Sequence, residues 1–218
     1  MTIRWHLFAV LLTTPLVASA QGPLQRGSAP PAADRPTLTP SFQAPYRPIA
    51  SRQRLEWFAV GSVGPQTLVA GVFSAGLGTA RNRPIEYGGT WEGFGKRYGM
   101  RLTGVASGNA IEAGIGYLWG EDPRYFRANG QPIGARIKNI VIMTFAARRS
   151  RDGHLAAAYA RYAAIPGNNF LSNTWRANSE STMDAALVRT GIGFAGRMAS
   201  NAFQEFWPDV KHLVLRRK

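Results

Sequence analysis

The stretch Trp91–Phe126, WEGFGKRYGMRLTGVASGNAIEAGIGYLWGEDPRYF, carries the strongest constraint in the chain. Trp91, Phe94, Tyr98, Leu102, Val105, Asn109, Ala113 and Gly116 follow one another at steps of three and four. That is one face of a helix rather than the alternation of a half-buried strand. It predicts a helix to about Gly120, with Pro123 forbidding much continuation. Eight glycines lie between Trp91 and Gly120, and each interior one costs roughly 0.8–1 kcal/mol against alanine. A helix burdened in this way needs a compensating contact. Gly95/Gly99, Gly104/Gly108 and Gly116/Gly120 are G-x-x-x-G pairs, the spacing that lets a second helix backbone settle closely. These six glycines are therefore expected to be helix-packing positions, within the domain or between copies in a homo-oligomer.

The N-terminus reads as an export signal over residues 1–20: Arg4, the apolar run Leu7–Val17, then Ala18-Ser19-Ala20 before Gln21. The apolar run is too short for a membrane span. Residues 21–54 shift to Pro, Ala, Ser, Thr and Arg, with seven prolines, and predict a disordered Pro-rich linker. The folded domain is expected over 55–210, with a basic tail at 211–218.

Trp57–Ala80 carries no charge for 24 residues, enough by length to cross a bilayer. Five glycines and Pro65 divide it, however, and predict a short helix ending near Gly61 and a second one opened by Pro65. Ile133–Ala147 is ambiguous between helix and strand, and Asp152-Gly153 is a turn dipeptide that would make a hairpin if its flanks were strands. Leu155–Ala164 favours helix, ended by Pro166-Gly167-Asn168-Asn169. Ser181 with Asp184 resembles a capping arrangement. Met183, Leu187, Gly191, Phe194, Met198, Ala202 and Phe206 then mark a long amphipathic helix stopped near Pro208. The fold expected is mainly α: a single bundle of five or six Gly-rich helices behind the signal peptide and the linker.

Composition narrows the chemistry. The net charge of +14 becomes +13 once residues 1–20, which hold only Arg4 among charged residues, are removed. For an exported protein this points to anionic envelope surfaces, lipid head groups or lipopolysaccharide, and not to nucleic acid. Without cysteine there is neither disulfide nor thiolate chemistry. The three histidines, His6, His154 and His212, stand apart and suggest no metal site. Gly191-Ile-Gly193-Phe-Ala-Gly196 matches G-x-G-x-x-G but falls inside a helical pattern, so no cofactor is expected. The polar residues to watch are Asn109 and Glu112 on the central helix and Asp122, Arg124 and Arg127 after it.

The motifs Tyr98-Gly99, Ser107-Gly108-Asn109, D-P-R-Y-F-R at 122–127 and E-F-W-P-D at 205–209 resemble an uncharacterised family of exported bacterial proteins, over about Trp57–Lys211. The resemblance implies one compact domain and supplies no catalytic residues. The expected function is a non-enzymatic structural or interaction role in the periplasm or at the outer membrane, with peripheral membrane attachment. Two alternatives are an envelope-polymer hydrolase using Glu112 or Asp122 as acid/base, for which paired carboxylates are required, and a small outer-membrane barrel.

Overall fold

The computed structural model describes residues 46–215, and the side chains to Leu213. The expected signal peptide, most of the Pro-rich linker and the last three residues of the tail lie outside them. The described residues form six α-helices: α1 Ser51–Val63, α2 Pro65–Ala80, α3 Trp91–Leu118, α4 Ile133–Phe145, α5 Tyr159–Leu171 and α6 Met183–Leu215. Three short strands, β1 Glu121–Asp122, β2 Ala146–Arg149 and β3 Leu155–Ala157, make an antiparallel sheet in the order β1-β2-β3. In register, Asp122 faces Arg148 and Ala147 faces Ala156. The protein is mainly α, and these few strand residues do not make the barrel wall of the third expectation.

The central helix forms as its periodicity predicts. Thr90 caps it by accepting from the Gly93 N–H at 3.3 Å. It packs on α1 and α2 along one side and on α5 along the other; α5 packs on α6, and α4 on α6. Pro65 opens α2 as its first residue. Proline has no N–H for the carbonyl four residues back, that of Gly61, and the Thr67 hydroxyl donates to it instead at 2.8 Å. Two boundaries differ from expectation at the linker. Ser51–Arg54 is already helix, and Tyr46 and Arg47 are tied to the domain through Asp122 and Arg124.

Two prolines expected to end helices lie inside them. α5 runs through Pro166, and the Ile165 carbonyl accepts from the Asn169 side chain at 2.9 Å. α6 runs through Pro208, and the Glu205 carbonyl beside this break is taken by Arg127 at 2.9 Å and Arg136 at 2.7 Å. Lys211 is accordingly helical rather than part of a separate tail. The ambiguous Ile133–Ala147 segment resolves as helix followed by strand, and the alanine-rich segment after it begins as strand. The cap of α6 is Thr182, whose hydroxyl accepts from the Ala185 N–H at 3.2 Å, and not Ser181.

The glycines act differently from a backbone zipper. Gly95 and Gly99 face open space, and Gly120 lies past the helix at φ +66°. Gly108 faces the Asn168 side chain, and only Arg176 approaches Gly104, from 3.8 Å. Gly71 receives the Tyr98 ring, Gly78 receives Arg97, and Gly61 receives Asn109. Of the six, Gly116 alone is pressed by backbone, with the Glu121 carbonyl 3.3 Å from where a Cβ would sit. At Gly61, Gly71, Gly78 and Gly108 the missing side chain makes room for a polar or aromatic group.

Candidate functional site

Burial in this protein is inverted. Among the described residues the fully buried apolar set is Ile140, Met143 and seven alanines, while eleven polar or charged residues are buried. Twenty-eight large apolar side chains are exposed. Buried charges are rare unless paired, and here four buried carboxylates organise the interior. Glu112 accepts from Arg161 at 3.0 Å and Arg197 at 2.8 Å. Arg161 also donates to the Met143 and Thr144 carbonyls at the end of α4, joining three helices. Glu121 accepts from the first two N–H groups of α5, those of Tyr159 at 3.1 Å and Ala160 at 3.0 Å, where the helix dipole favours a negative charge.

Asp122 and Glu205 hold the two halves of a clasp. Asp122, fully buried, takes the Arg124 guanidinium at both oxygens, and the Tyr46 hydroxyl donates to it at 3.0 Å. Burial and the Asp122 charge push the Tyr46 hydroxyl pKa up. Glu205 accepts from the Tyr125 hydroxyl at 2.7 Å, the Ala128 N–H at 3.2 Å and Arg136 at 2.9 Å. Burial works to raise its pKa, but these hydrogen bonds and the Arg136 charge outweigh burial and hold it below the usual carboxylate range. Burial and the bond to Glu205 drive the Tyr125 hydroxyl well up. Asp209 pairs with Arg136 at 2.6 Å. The D-P-R-Y-F-R and E-F-W-P-D segments, 80 residues apart in sequence for the Tyr125–Glu205 bond, are thus parts of one interlocked structure.

A trough of about 1090 Å³ lies between α1–α2 and α6, with α3 and α5 beneath. Six arginines line it (Arg83, Arg97, Arg101, Arg176, Arg189 and Arg197), against two glutamates, Glu112 and Glu180. Helical spacing places them: Arg97 and Arg101 are four apart on α3, while Arg189, Gly193 and Arg197 recur every four on α6. Most are held. Arg97 donates to the carbonyls of Arg83, Pro84 and Gly88 and fixes the loop after α2. Arg176 pairs with Glu180 at 3.1 Å, and Arg189 donates to the Glu180 and Asn169 carbonyls and to the Asn173 side chain. Arg197 bridges Glu112 and the Pro123 carbonyl, with Trp57 beneath its guanidinium at 5.5 Å. Burial brings the Arg197 pKa down to about 10, opposed by Glu112 and reinforced by Arg161, and leaves the group cationic at neutral pH. Arg189 is lowered by burial and by its neighbour Arg176. Arg101 has no partner among the described residues, and its Nε is buried.

Of the residues singled out from the sequence, Asn109 and Glu112 line this trough; Asn109 donates to the Ser62 hydroxyl at 3.3 Å. Asp122, Arg124 and Arg127 belong to the clasp instead, linked to Glu112 only through Arg197 and the Pro123 carbonyl. Glu112 is paired twice, through its Oε1, and Asp122 is paired bidentately with Arg124. The Gly191–Gly196 motif lies within α6, and Gly193 and Gly196 serve as trough wall. Among the described residues no three His, Asp or Glu side chains gather as metal ligands. A concave surface with this surplus of guanidinium is chemically suited to hold anions. The trough arginines escape a sequence reading because arginine in a basic chain reads as surface; the signal is their fourfold spacing, Arg97 and Arg101 on α3 and Arg189, Gly193 and Arg197 on α6. No protein-family model, curated protein or solved structure matches the chain.

Proposed function

We propose that the protein is a non-enzymatic component of the bacterial cell envelope that works against a lipid surface, with its apolar outer faces in contact with lipid. The observation that carries this reading is the inverted burial: ion pairs inside, large apolar side chains outside. The α1–α2 segment, Ser51–Ala80, has an 18-residue window of mean hydropathy 1.3, of which 22% is buried. A core helix of equal apolarity in a water-soluble domain would bury most of that window. Leu55, Val60, Val63, Val69, Val72, Phe73 and Leu77 face outward on it. On α4, Ile133, Ile137, Val141 and Phe145 repeat every four residues on one exposed stripe. Exposure on this scale marks an interaction surface. In contact with lipid it costs nothing, whereas polar groups there must be satisfied internally, as the carboxylates are here.

Export and a net positive charge direct the surface toward an envelope membrane with anionic head groups. Fractionation of cells expressing the full chain tests the reading. The expected result is recovery with membranes, retention through a high-salt wash that screens surface charge, and release by detergent. Recovery wholly in the periplasmic or culture fluid as a monomer would overturn it.

A further inference from the structure

We propose that the trough between α1–α2 and α6 binds the phosphate headgroup of an amphiphile, with Arg101 and Arg176 as its principal contacts. The site borders the outer apolar faces at Val60 and Ile192, but its arginines do not depend on those faces lying in lipid. Three observations converge on it. Six arginines face two glutamates across one cavity, so the lining carries uncompensated positive charge. Arg101 holds a half-buried guanidinium with no acceptor, and the Nε atoms of Arg101 and Arg189 are both buried without a hydrogen bond. Unmade hydrogen bonds of buried cations are costly, and an anion entering the trough would supply them. Finally, the Arg176 guanidinium lies over Gly104, one turn from Arg101, with 3.8 Å between its Nη2 and the place of a Cβ. The Arg101 fork can take two oxygens of a phosphate monoester, and Arg176, whose Nε and Nη1 are held by Ser172 and Glu180, can add a contact through Nη2.

The volume decides between a bare ion and a larger ligand. At about 1090 Å³ the trough is at the upper end of pockets that hold whole organic ligands. Met100, Val105, Ile165 and Ile192 line it beside the arginines and offer apolar surface to the rest of the molecule. A headgroup at Arg101 and Arg176 with its hydrocarbon along these residues uses both kinds of lining.

Isothermal titration of the purified chain with monomeric dihexanoyl phosphatidic acid tests this, with dihexanoyl phosphatidylcholine and inorganic pyrophosphate as the other two arms. Saturable one-to-one binding of the phosphatidic acid is expected, with phosphatidylcholine, whose phosphate is offset by its choline, clearly weaker. Arg101→Gln should weaken binding about tenfold or more, the scale of one charge-assisted bidentate contact. Arg101→Lys, which keeps the charge and loses the fork, should fall between. Arg176→Gln should weaken binding too, so the idea stays testable if Arg101→Gln fails to fold. Arg151→Gln, at a side chain 94% exposed, should change nothing. Equal loss in Arg151→Gln, or equal binding of the two lipids, would reduce the effect to general charge or apolar adsorption and overturn the site. Pyrophosphate binding as tightly as phosphatidic acid would overturn the amphiphile, leaving free phosphate compounds as the ligand. A chain that proves fully soluble on fractionation but still shows Arg101-dependent binding would separate the two proposals.

Discussion

Two glycines two residues apart on α3 show how little the residue type alone determines. A Cβ at Gly93 would overlap the carbonyl oxygens of Tyr87 and Gly88, whereas one at Gly95 meets nothing within 4 Å. Gly95→Ala is therefore expected to raise the thermal midpoint, by a stabilisation of about 0.5–1 kcal/mol from the glycine's conformational freedom. Gly93→Ala should lower it, by a destabilisation of about 1–3 kcal/mol, because one of the loop carbonyls it meets, that of Gly88, is also held by Arg97. Paired thermal melts check both, and a common sign would contradict the contacts described. Glu205 adds a pH dependence. Its folded pKa lies below that of an unfolded glutamate, about 4.3. The unfolded state then binds the proton more readily, so this stabilisation is complete above that value and is lost as pH falls through the folded pKa. In Glu205→Gln that part of the acid sensitivity should vanish. The midpoint at neutral pH should also fall, because Arg136 then keeps only Asp209 as a carboxylate partner.

At the scale of elements, the sequence was legible where one helical face or one proline decided the outcome. α3 follows its three-and-four spacing, α2 starts at Pro65, and α6 carries its stripe from Met183. It was illegible where distant groups supplied what a local rule said was missing. Pro208 reads locally as a stop, yet α6 continues past it, and next to it Arg127 and Arg136, from a loop and from α4, bind the Glu205 carbonyl and tie this part of the helix to the domain. The sheet depends on Glu121 and Asp122 finding Arg149 and Arg148, a pairing no local pattern announces. The arginine trough was hidden for the same reason, since five helices must assemble before their inner faces form a single cavity. The start of α6 offers a clean test of the local part. Thr182→Ala removes the hydroxyl that accepts from Ala185 and should cost about 1 kcal/mol. Ser181→Ala, whose hydroxyl only donates to the Asn178 carbonyl, should cost clearly less. Urea melts of the two variants distinguish the caps.

For the whole molecule, the arrangement of polarity is the organising fact. Packing alone does not account for a core built of alanine around buried ion pairs; such a core offers little apolar area to offset the conformational entropy of folding. If the outer faces meet lipid, the interior needs partners for its buried charges, and the four buried carboxylates have them. The chain contains no cysteine, so a single one can be placed at will. Phe73→Cys on α2, at a position 75% exposed, labelled with an environment-sensitive fluorophore, tests this most directly. On mixing with neutral phosphatidylcholine vesicles in high salt, the account predicts a blue-shifted, brighter emission at position 73 and none from the same label at Arg151→Cys. An unchanged spectrum at position 73, with the protein remaining in the aqueous phase, would contradict it.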